Sequence, residues 1–160
     1  MAAATDVIIR PFVAGDGAAF AALNIQWLSA MFAVEDADRR TLANVEESII
    51  HPGGAILMAV EPDGTAVGCC ALVAISVGVY ELGKMAVDES RRGRGIGRRI
   101  LESIIALARA RGATTLYLGS HTRLANAVHL YHALGFRTVP AADTPLHIYE
   151  RSDIWMRLDL

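Results

Sequence analysis

The sequence predicts an α/β fold with a mixed, mostly antiparallel sheet of about seven strands, flanked by about four helices. Three apolar segments in the middle of the chain are separated by short turns, which is typical of an antiparallel meander. Further on, strand-like and helix-like segments alternate, which is typical of crossover connections between parallel strands. The 160 residues suit one domain, so we expect residues 1–160 to form a single unit.

In the first half of the chain, local signals delimit each predicted element. Pro11 ends a first strand, and the side chain of Asp16 is expected to cap the first helix. Pro52 with two glycines ends the second helix, and the run Pro62-Asp63-Gly64 indicates a turn. The predicted elements are a strand at 7–10, helices at 16–32 and 38–50, and strands at 55–61, 66–76 and 79–87.

The second half begins with a glycine-rich segment that opens a helix. Apolar residues from Ile96 to Leu107 recur at helical spacing and form one stripe that would face the sheet. Arg98 and Glu102, four residues apart, are expected to pair on the outer side, and Gly112 ends the helix. The remaining elements are predicted as a strand at 114–119, a helix at 124–134, and strands at 136–139 and 147–158.

Composition narrows the class of protein. A chain with 53% hydrophobic residues, 20% charged residues and a net charge of −2 is neither globally disordered nor a general polyanion binder. The uncharged segment 17–34 is interrupted by three polar residues, so we expect a buried helix and no membrane association. Cys69 and Cys70 are neighbours on a strand and point to opposite faces, which disfavours a disulfide. Two thiols and no secretory signal indicate a cytoplasmic location.

Three glycines at alternate positions precede the helix at residue 96. Gly93, Gly95 and Gly97 allow the backbone to approach a ligand closely, and the helix N-terminus directs N–H groups at an anion. Arg92 and Arg94 add positive charge. Residues 92–97, which we call the glycine turn, therefore predict a phosphate or pyrophosphate site. Arginines at positions 98 and 99 disfavour both a P-loop and a Rossmann turn.

Two motifs and a strand occur in an order that resembles a known family. Met85-Ala86-Val87 precedes the turn, Arg92-x-x-Gly95-x-Gly97 forms it, and Asn126-Ala127-x-x-Leu130-Tyr131-x-x-x-Gly135-Phe136 follows it. This order resembles the GNAT superfamily of acetyl-CoA-dependent N-acetyltransferases, most closely over residues 79–140. The resemblance implies an acetyl-CoA site between two splayed parallel strands, without a metal. The residues implied to bind acetyl-CoA are Met85, Ala86, Val87, Arg92, Gly93, Arg94, Gly95, Ile96, Gly97 and Asn126.

The resemblance also implies catalytic roles. In the usual family scheme an amine attacks the thioester directly, and a backbone N–H near Met85 stabilises the oxyanion. Tyr131 matches the family position of the general acid that protonates the leaving thiolate; its alternative role is packing. Glu81 is the candidate base, acting through water as in many relatives, and is otherwise an exposed strand charge. Period-two alternation would place Glu81 on one face with Met85 unless a bulge intervenes.

Acceptor-binding residues are harder to assign because their segments contain no motif. Glu35 follows Trp27 near the junction of the first two helices, a region that shapes the acceptor pocket in relatives. Glu35 could bind a cationic amine, act as a base or end a helix, and His121 is a further candidate base. His129 and His132, three residues apart, lack an acidic or cysteine partner, so we expect a solvated helix face and no metal site.

The function expected from the sequence is transfer of an acetyl group from acetyl-CoA to a primary amine of a small molecule. Two alternatives remain: acetylation of a protein N-terminus or lysine, and a non-catalytic module that binds acyl-CoA. The arginines at residues 91–99 could bind nucleic acid, but no aromatic residues are interleaved and the chain is slightly acidic, so we expect no nucleic-acid partner. Relatives are often dimers, so a homodimer is a possible assembly.

Overall fold

The computed structural model describes residues 6–160. These residues form seven strands and four α-helices, and the elements follow one another in the order that the sequence predicted. The strands are β1 (Ile8–Pro11), β2 (Ala55–Val60), β3 (Ala66–Ser76), β4 (Val79–Val87), β5 (Thr115–Ser120), β6 (Arg137–Val139) and β7 (Ile154–Asp159). The helices are α1 (Gly17–Met31), α2 (Asp36–Ala43), α3 (Ile96–Ala110) and α4 (Ala125–Ala133).

The seven strands form one sheet in the order β1-β2-β3-β4-β5-β7-β6. β4 and β5 are parallel, and every other neighbouring pair is antiparallel. The parallel pair needs a crossover connection, which α3 provides. The predicted fold class, a mixed and mostly antiparallel sheet flanked by about four helices, is therefore confirmed.

Each face of the sheet is covered by its own hydrophobic cluster. The apolar stripe of α3, from Ile96 to Ala108, packs on one face together with Tyr131 and Phe136. Phe20 and Leu23 of α1 and Leu42 of α2 pack on the other face. The predicted pair of Arg98 and Glu102 is present on the outer side of α3, with 2.8 Å between Arg98 Nε and Glu102 Oε1.

The first helix is buried against the sheet, as expected for the uncharged segment. Within residues 6–160, no helix has the length and apolar character needed to cross a membrane. Asp16 is the N-cap residue of α1, as predicted, but its side chain makes no capping hydrogen bond. Its carboxylate instead pairs with Arg10 at 2.7 Å and accepts a hydrogen bond from the backbone N–H of Val13 at 2.9 Å. The stronger ion pair with the guanidinium holds the carboxylate away from the helix N-terminus.

The second helix is shorter than predicted. α2 ends at Ala43, and residues 46–50 form a separate π-helical turn instead of continuing the helix to residue 50. α2 also begins two residues earlier than expected, after Glu35. Glu35 and Asp38 form a capping box in which each side chain accepts a hydrogen bond from the other residue's backbone N–H. Asp38 therefore lies inside the first turn of α2.

A bulge in β4 changes which side chains share a face. Gly83 is opposite Ala71 and Ala86 is opposite Cys69, so Lys84 and Met85 together face the single residue Cys70. Lys84 has a φ of 51°, the left-handed conformation that accommodates the extra residue. As a result, Met85 packs against the α3 side of the sheet, as does Leu82 from before the bulge. The simple alternation that would place Glu81 on the same face as Met85 is therefore wrong.

The last strand is also shorter than predicted. β7 spans Ile154–Asp159, whereas the prediction started it at residue 147. Residues 144–153, which we call the closing segment, contain no strand or helix. Glu35, the residue before α2, accepts hydrogen bonds from the backbone N–H groups of Glu150 and Arg151 at 3.1 and 3.4 Å. At the end of the segment, the N–H of Asp153 donates to the carbonyl of Ser120 in β5 at 3.0 Å.

Candidate functional site

The candidate site lies where the parallel strands separate. β4 and β5 are paired only from Val79 to Glu81 on β4, opposite residues 115–117 of β5. Beyond this point the strands diverge, and the edge of β4 from Leu82 to Val87 has no strand beside it. A cavity of about 700 Å³ opens in this gap. It extends from the glycine turn to the closing segment, so both ends of the candidate site share one space.

The glycine turn forms one end of the cavity. Gly95 immediately precedes α3 and has a φ of 78°, a conformation that favours glycine, and a Cβ added to it would have no other atom within 4 Å. A Cβ on Gly97 would lie 3.1 Å from Met85 Cε, so glycine here allows α3 to approach β4 closely. The exposed Arg92 is held by a hydrogen bond from its Nε to the Val87 carbonyl at 3.3 Å. Backbone N–H groups, a helix dipole and arginine side chains therefore converge where an anion can bind.

Most residues predicted to bind the cofactor line this cavity. Arg94 is the exception among the ten, although it flanks Gly93 and Gly95, which do line it. Asn126 is exposed in the first turn of α4 and lines the opposite wall. Residues Met85–Val87 line the cavity along the open edge of β4.

Tyr131 lies beside the open edge of β4. Its side chain comes from α4 and is only 8% exposed. The phenolic oxygen is 3.8 Å from the sulfur of Met85, and the ring packs edge-on against Phe136 at 5.9 Å between ring centroids. Burial raises the pKa of Tyr131 well above its usual range. The phenol therefore stays protonated at neutral pH and can donate a proton, but is a poor proton acceptor.

Glu81 lines the same cavity, at the last residue where β4 still pairs with β5. Burial raises the pKa of Glu81 to about 6, despite the opposing effect of the cations Lys84 and Arg151. Within residues 6–160, no group forms a hydrogen bond or ion pair with this carboxylate. A carboxylate with a pKa near 6 and no fixed partner can accept a proton near neutral pH.

The three candidate acceptor residues differ in position. Trp27 and His121 both line the cavity, and each packs against Phe32, with ring centroids 6.3 and 5.2 Å apart. His121 Nε2 lies 3.3 Å from Asp153 Oδ2. Glu35 does not line the cavity, because its oxygens are used in the capping box and in bonds to the closing segment. Its geometry is that of an anchor for that segment, at the start and not at the end of a helix.

A buried ionic cluster behind the cavity wall was not found from the sequence. Asp38 is fully buried and binds both Lys84 and Arg151. The ring of Tyr149 contacts both cations, with Lys84 Nζ 5.0 Å and Arg151 Cζ 4.2 Å from its centroid. Two signals were available in the sequence: the single lysine of the chain in an apolar strand, and the spacing of Glu35 and Asp38, which fits a capping box.

Other reactive groups lie away from this chemistry. Cys69 and Cys70 are free and buried in the sheet, and neither lines the cavity. Burial raises the pKa of Cys69 to about 12, so its thiol is inert at neutral pH. Within the part of the chain that the structure describes, no group of three His, Cys, Asp or Glu side chains could hold a metal ion.

Comparison with known proteins identifies the family. The model of the acetyltransferase (GNAT) family matches residues 19–136, which include the glycine turn, Glu81 and Tyr131. The chain belongs to the GNAT acetyltransferase family. The resemblance inferred from the motifs is therefore confirmed.

Two relatives of this GNAT chain carry specific names. Mycothiol acetyltransferase of Kineococcus radiotolerans is 36% identical over an alignment of 140 residues that covers 83% of this chain and 43% of the relative. IAA acetyltransferase of Azospirillum brasilense is 42% identical over 74 residues, which are 46% of this chain and 48% of the relative. The matched part of the chain thus spans less than half the length of either relative.

Solved structures of other GNAT proteins share the fold. A GNAT family acetyltransferase from Staphylococcus aureus superposes with a TM-score of 0.88 at 20% identity, over 96% of this chain and 98% of the other. A GNAT family acetyltransferase from Elizabethkingia anophelis, solved with acetyl-CoA bound, gives a TM-score of 0.72 at 20% identity, over 97% and 99%. The chain therefore has a fold with several solved examples.

Proposed function

We propose that this GNAT family member transfers an acetyl group from acetyl-CoA to a primary amine of a small molecule, by direct attack while both are bound. The observation that carries the proposal is that one cavity joins the glycine turn to Glu81 and Tyr131. An anion-binding end and two groups able to move protons thus lie along one space. The named relatives, acetyltransferases of mycothiol and of IAA, support a small-molecule acceptor.

The residues present fit a ligand that carries a pyrophosphate and a chain of amides. The open space in front of Gly95 and the N-terminus of α3 suit the pyrophosphate, with Arg92 beside them. On the side toward β5, the backbone of residues 85–87 has no strand beside it and can pair with amides as another strand would. The bound acetyl-CoA in the Elizabethkingia anophelis relative supports this assignment.

The catalytic roles follow from the properties of each group. When bound, acetyl-CoA supplies an acyl group on a thioester, whose sulfur must leave as a thiol. Glu81 accepts a proton from the attacking amine, directly or through water, as the C–N bond forms. A backbone N–H near Met85 donates a hydrogen bond to the carbonyl oxygen as negative charge develops on it. Tyr131 transfers its phenolic proton to the sulfur as the C–S bond breaks.

A thiol-release assay tests the proposed function. The protein is incubated with acetyl-CoA and a panel of primary amines, amino acids, polyamines, aminoglycosides and short peptides, and free coenzyme A is measured. We expect release with at least one small amine and formation of the matching acetamide by mass spectrometry. Release with peptides alone would contradict the small-molecule acceptor. Acetyl-CoA binding without release across the panel would indicate a binding module instead of a transferase.

A further inference from the structure

Two cations from different parts of the chain converge on one buried carboxylate. Lys84, at the bulge in β4, places Nζ 2.6 Å from Asp38 Oδ1. Arg151, in the closing segment, places Nη1 2.6 Å from Asp38 Oδ2 and Nη2 2.9 Å from Oδ1. Asp38 is fully buried, whereas Lys84 and Arg151 both line the cavity. Asp38 therefore acts on the cavity only through these two side chains.

The charges of this cluster balance. Glu35 adds a second carboxylate, 3.3 Å from Arg151 Nη1. Two cations thus face two carboxylates, and the cluster as a whole is neutral. Removing the charge of Asp38 would leave one net positive charge at the wall of the cavity.

Glu81 is the charged side chain at this end of the cavity that does not belong to the neutral cluster. Among the residues that the structure describes, it is the one carboxylate that lines the cavity. The other charged residues of the lining are arginines: three lie at or next to the glycine turn, and Arg123 lies 5.2 Å from the Phe32 ring centroid. Lys84 and Arg151 are both paired with Asp38, which weakens their effect on Glu81, so an amine near Glu81 meets a negative charge whose neighbouring cations are already paired.

We propose that Asp38 is a positioning residue that neutralises Lys84 and Arg151, and that this end of the cavity thereby selects cationic amines without a carboxylate near the reacting nitrogen. The inference rests on the proposed function and names its substrate class. A substrate carboxylate beside Glu81 finds both neighbouring cations, Lys84 and Arg151, already held by Asp38, and it is repelled by Glu81. The rings of Tyr149, which contacts Lys84 and Arg151, and of Trp27 both line the cavity and can contact an aromatic body.

A matched pair of amines tests the inference. Phenethylamine and phenylalanine differ by one carboxylate beside the nitrogen, and kcat/KM is measured for both by thiol release. We expect the wild-type protein to favour phenethylamine by about tenfold or more. In Asp38→Asn, this preference should fall by about tenfold, through a higher KM for phenethylamine and a lower KM for phenylalanine.

A second substitution reverses the expected change. Lys84→Met removes a cation and leaves Asp38 paired with Arg151, so the preference for phenethylamine should increase. The two substitutions are expected to shift the preference in opposite directions. Lys84→Met therefore tests whether the charge of this cluster sets the amine preference even if Asp38→Asn does not fold. Asp36→Asn is the matched control: Asp36 is two residues away, its side chain is 80% exposed, and it pairs only with Arg39 among the described residues. It should leave both kinetic constants unchanged.

Three results would overturn the inference, and a fourth would refute the proposed function. A wild-type preference for phenylalanine overturns the inference alone. Equal loss of kcat/KM for both amines in Asp38→Asn, with no opposite shift in Lys84→Met, indicates a purely structural role and also overturns it. Release with other amines but with neither of this pair refutes the aromatic, cationic substrate class. If no amine in any panel releases coenzyme A, the proposed function itself is refuted.

Discussion

The hydroxyl of Tyr131 lies 3.8 Å from the sulfur of Met85, which links the middle of α4 to the open edge of β4. The contact places a protonated phenol beside the strand that is proposed to hold the thioester end of acetyl-CoA. Burial keeps that proton on the oxygen at neutral pH. The phenol is therefore still protonated when the thiolate leaves, and it can supply the proton that the sulfur takes up as the C–S bond breaks.

Replacing Tyr131 by phenylalanine therefore tests the general acid. We expect kcat to fall by about a hundredfold, because general acids commonly contribute 10²–10⁴ to the rate, with little change in the Kd of acetyl-CoA. Tyr117→Phe is a matched control, since Tyr117 is equally buried but bonds to Arg157 outside the cavity. If the two variants lose activity equally, Tyr131 is a packing residue.

The raised pKa of Glu81 predicts the acidic limb of the pH profile. A base must be deprotonated, so kcat/KM should fall as the pH drops through about 6. Glu81→Gln should lower the rate at pH 8 and remove this limb. Initial rates between pH 5 and 9 measure both effects. A limb near pH 6 that persists in Glu81→Gln would assign it to another group.

The same pKa shift also predicts a change in stability. A carboxyl group with a folded pKa above its unfolded value favours folding when protonated, so its ionisation destabilises the fold as the pH rises from about 4.5 to 6. Glu81→Gln should therefore raise the free energy of unfolding at pH 8 by at most about 2 kcal/mol, which is measured as a higher melting temperature. The difference should vanish below about pH 4.

The lowered pKa of Asp38 predicts that stability depends on pH in the opposite direction. Burial alone would raise its pKa, but hydrogen bonds from Arg151 and Lys84 outweigh burial and lower the pKa to about 2. A lowered folded pKa stabilises the protein above the unfolded value near 4, and this contribution is lost as the pH falls from about 4 to 2. The expected loss is about 2 kcal/mol. Denaturant melts of wild type and Asp38→Asn should converge at low pH, whereas Asp36→Asn should follow wild type.

Two glycine substitutions distinguish a loss of acetyl-CoA binding from the cost of backbone strain. Gly95→Ala introduces a side chain at a φ of 78°, and Gly112→Ala does so at 81° beyond the other end of α3, in both cases with no other atom within 4 Å of the added Cβ. Each should cost about 1 kcal/mol of stability. Gly95→Ala alone should also weaken acetyl-CoA binding, by about tenfold. Equal affinities in the two variants would place the pyrophosphate elsewhere.

Local signals were sufficient to predict the order of the elements and the glycine turn. The glycines at 93, 95 and 97 with their neighbouring arginines, within six residues of sequence, are the pattern from which we predict the anion site. The stripe of α3 and the turns of the meander are equally local. These features depend on residues close together in the chain, which is why one sequence was enough to predict them.

The ionic cluster could not be predicted because its members are distant in the sequence. Lys84 and Asp38 are 46 residues apart, and Arg151 and Asp38 are 113 apart. The closing segment resembled a strand because His147–Tyr149 continue the apolar and aromatic pattern of β7. Instead, hydrogen bonds to Glu35 and the ion pair of Arg151 with Asp38 place residues 150 and 151 beside the start of α2. The bulge at Lys84 likewise depends on its pairing with β3 and has no local signature.

Calorimetric titration with acetyl-CoA tests the central claim most directly, namely that the glycine turn and the open edge of β4 hold this ligand. We expect one binding site per chain, with an affinity weakened in Gly95→Ala and kept in Gly112→Ala. A folded protein that gives no heat of binding, and whose melting temperature is unchanged by excess acetyl-CoA, would contradict the claim.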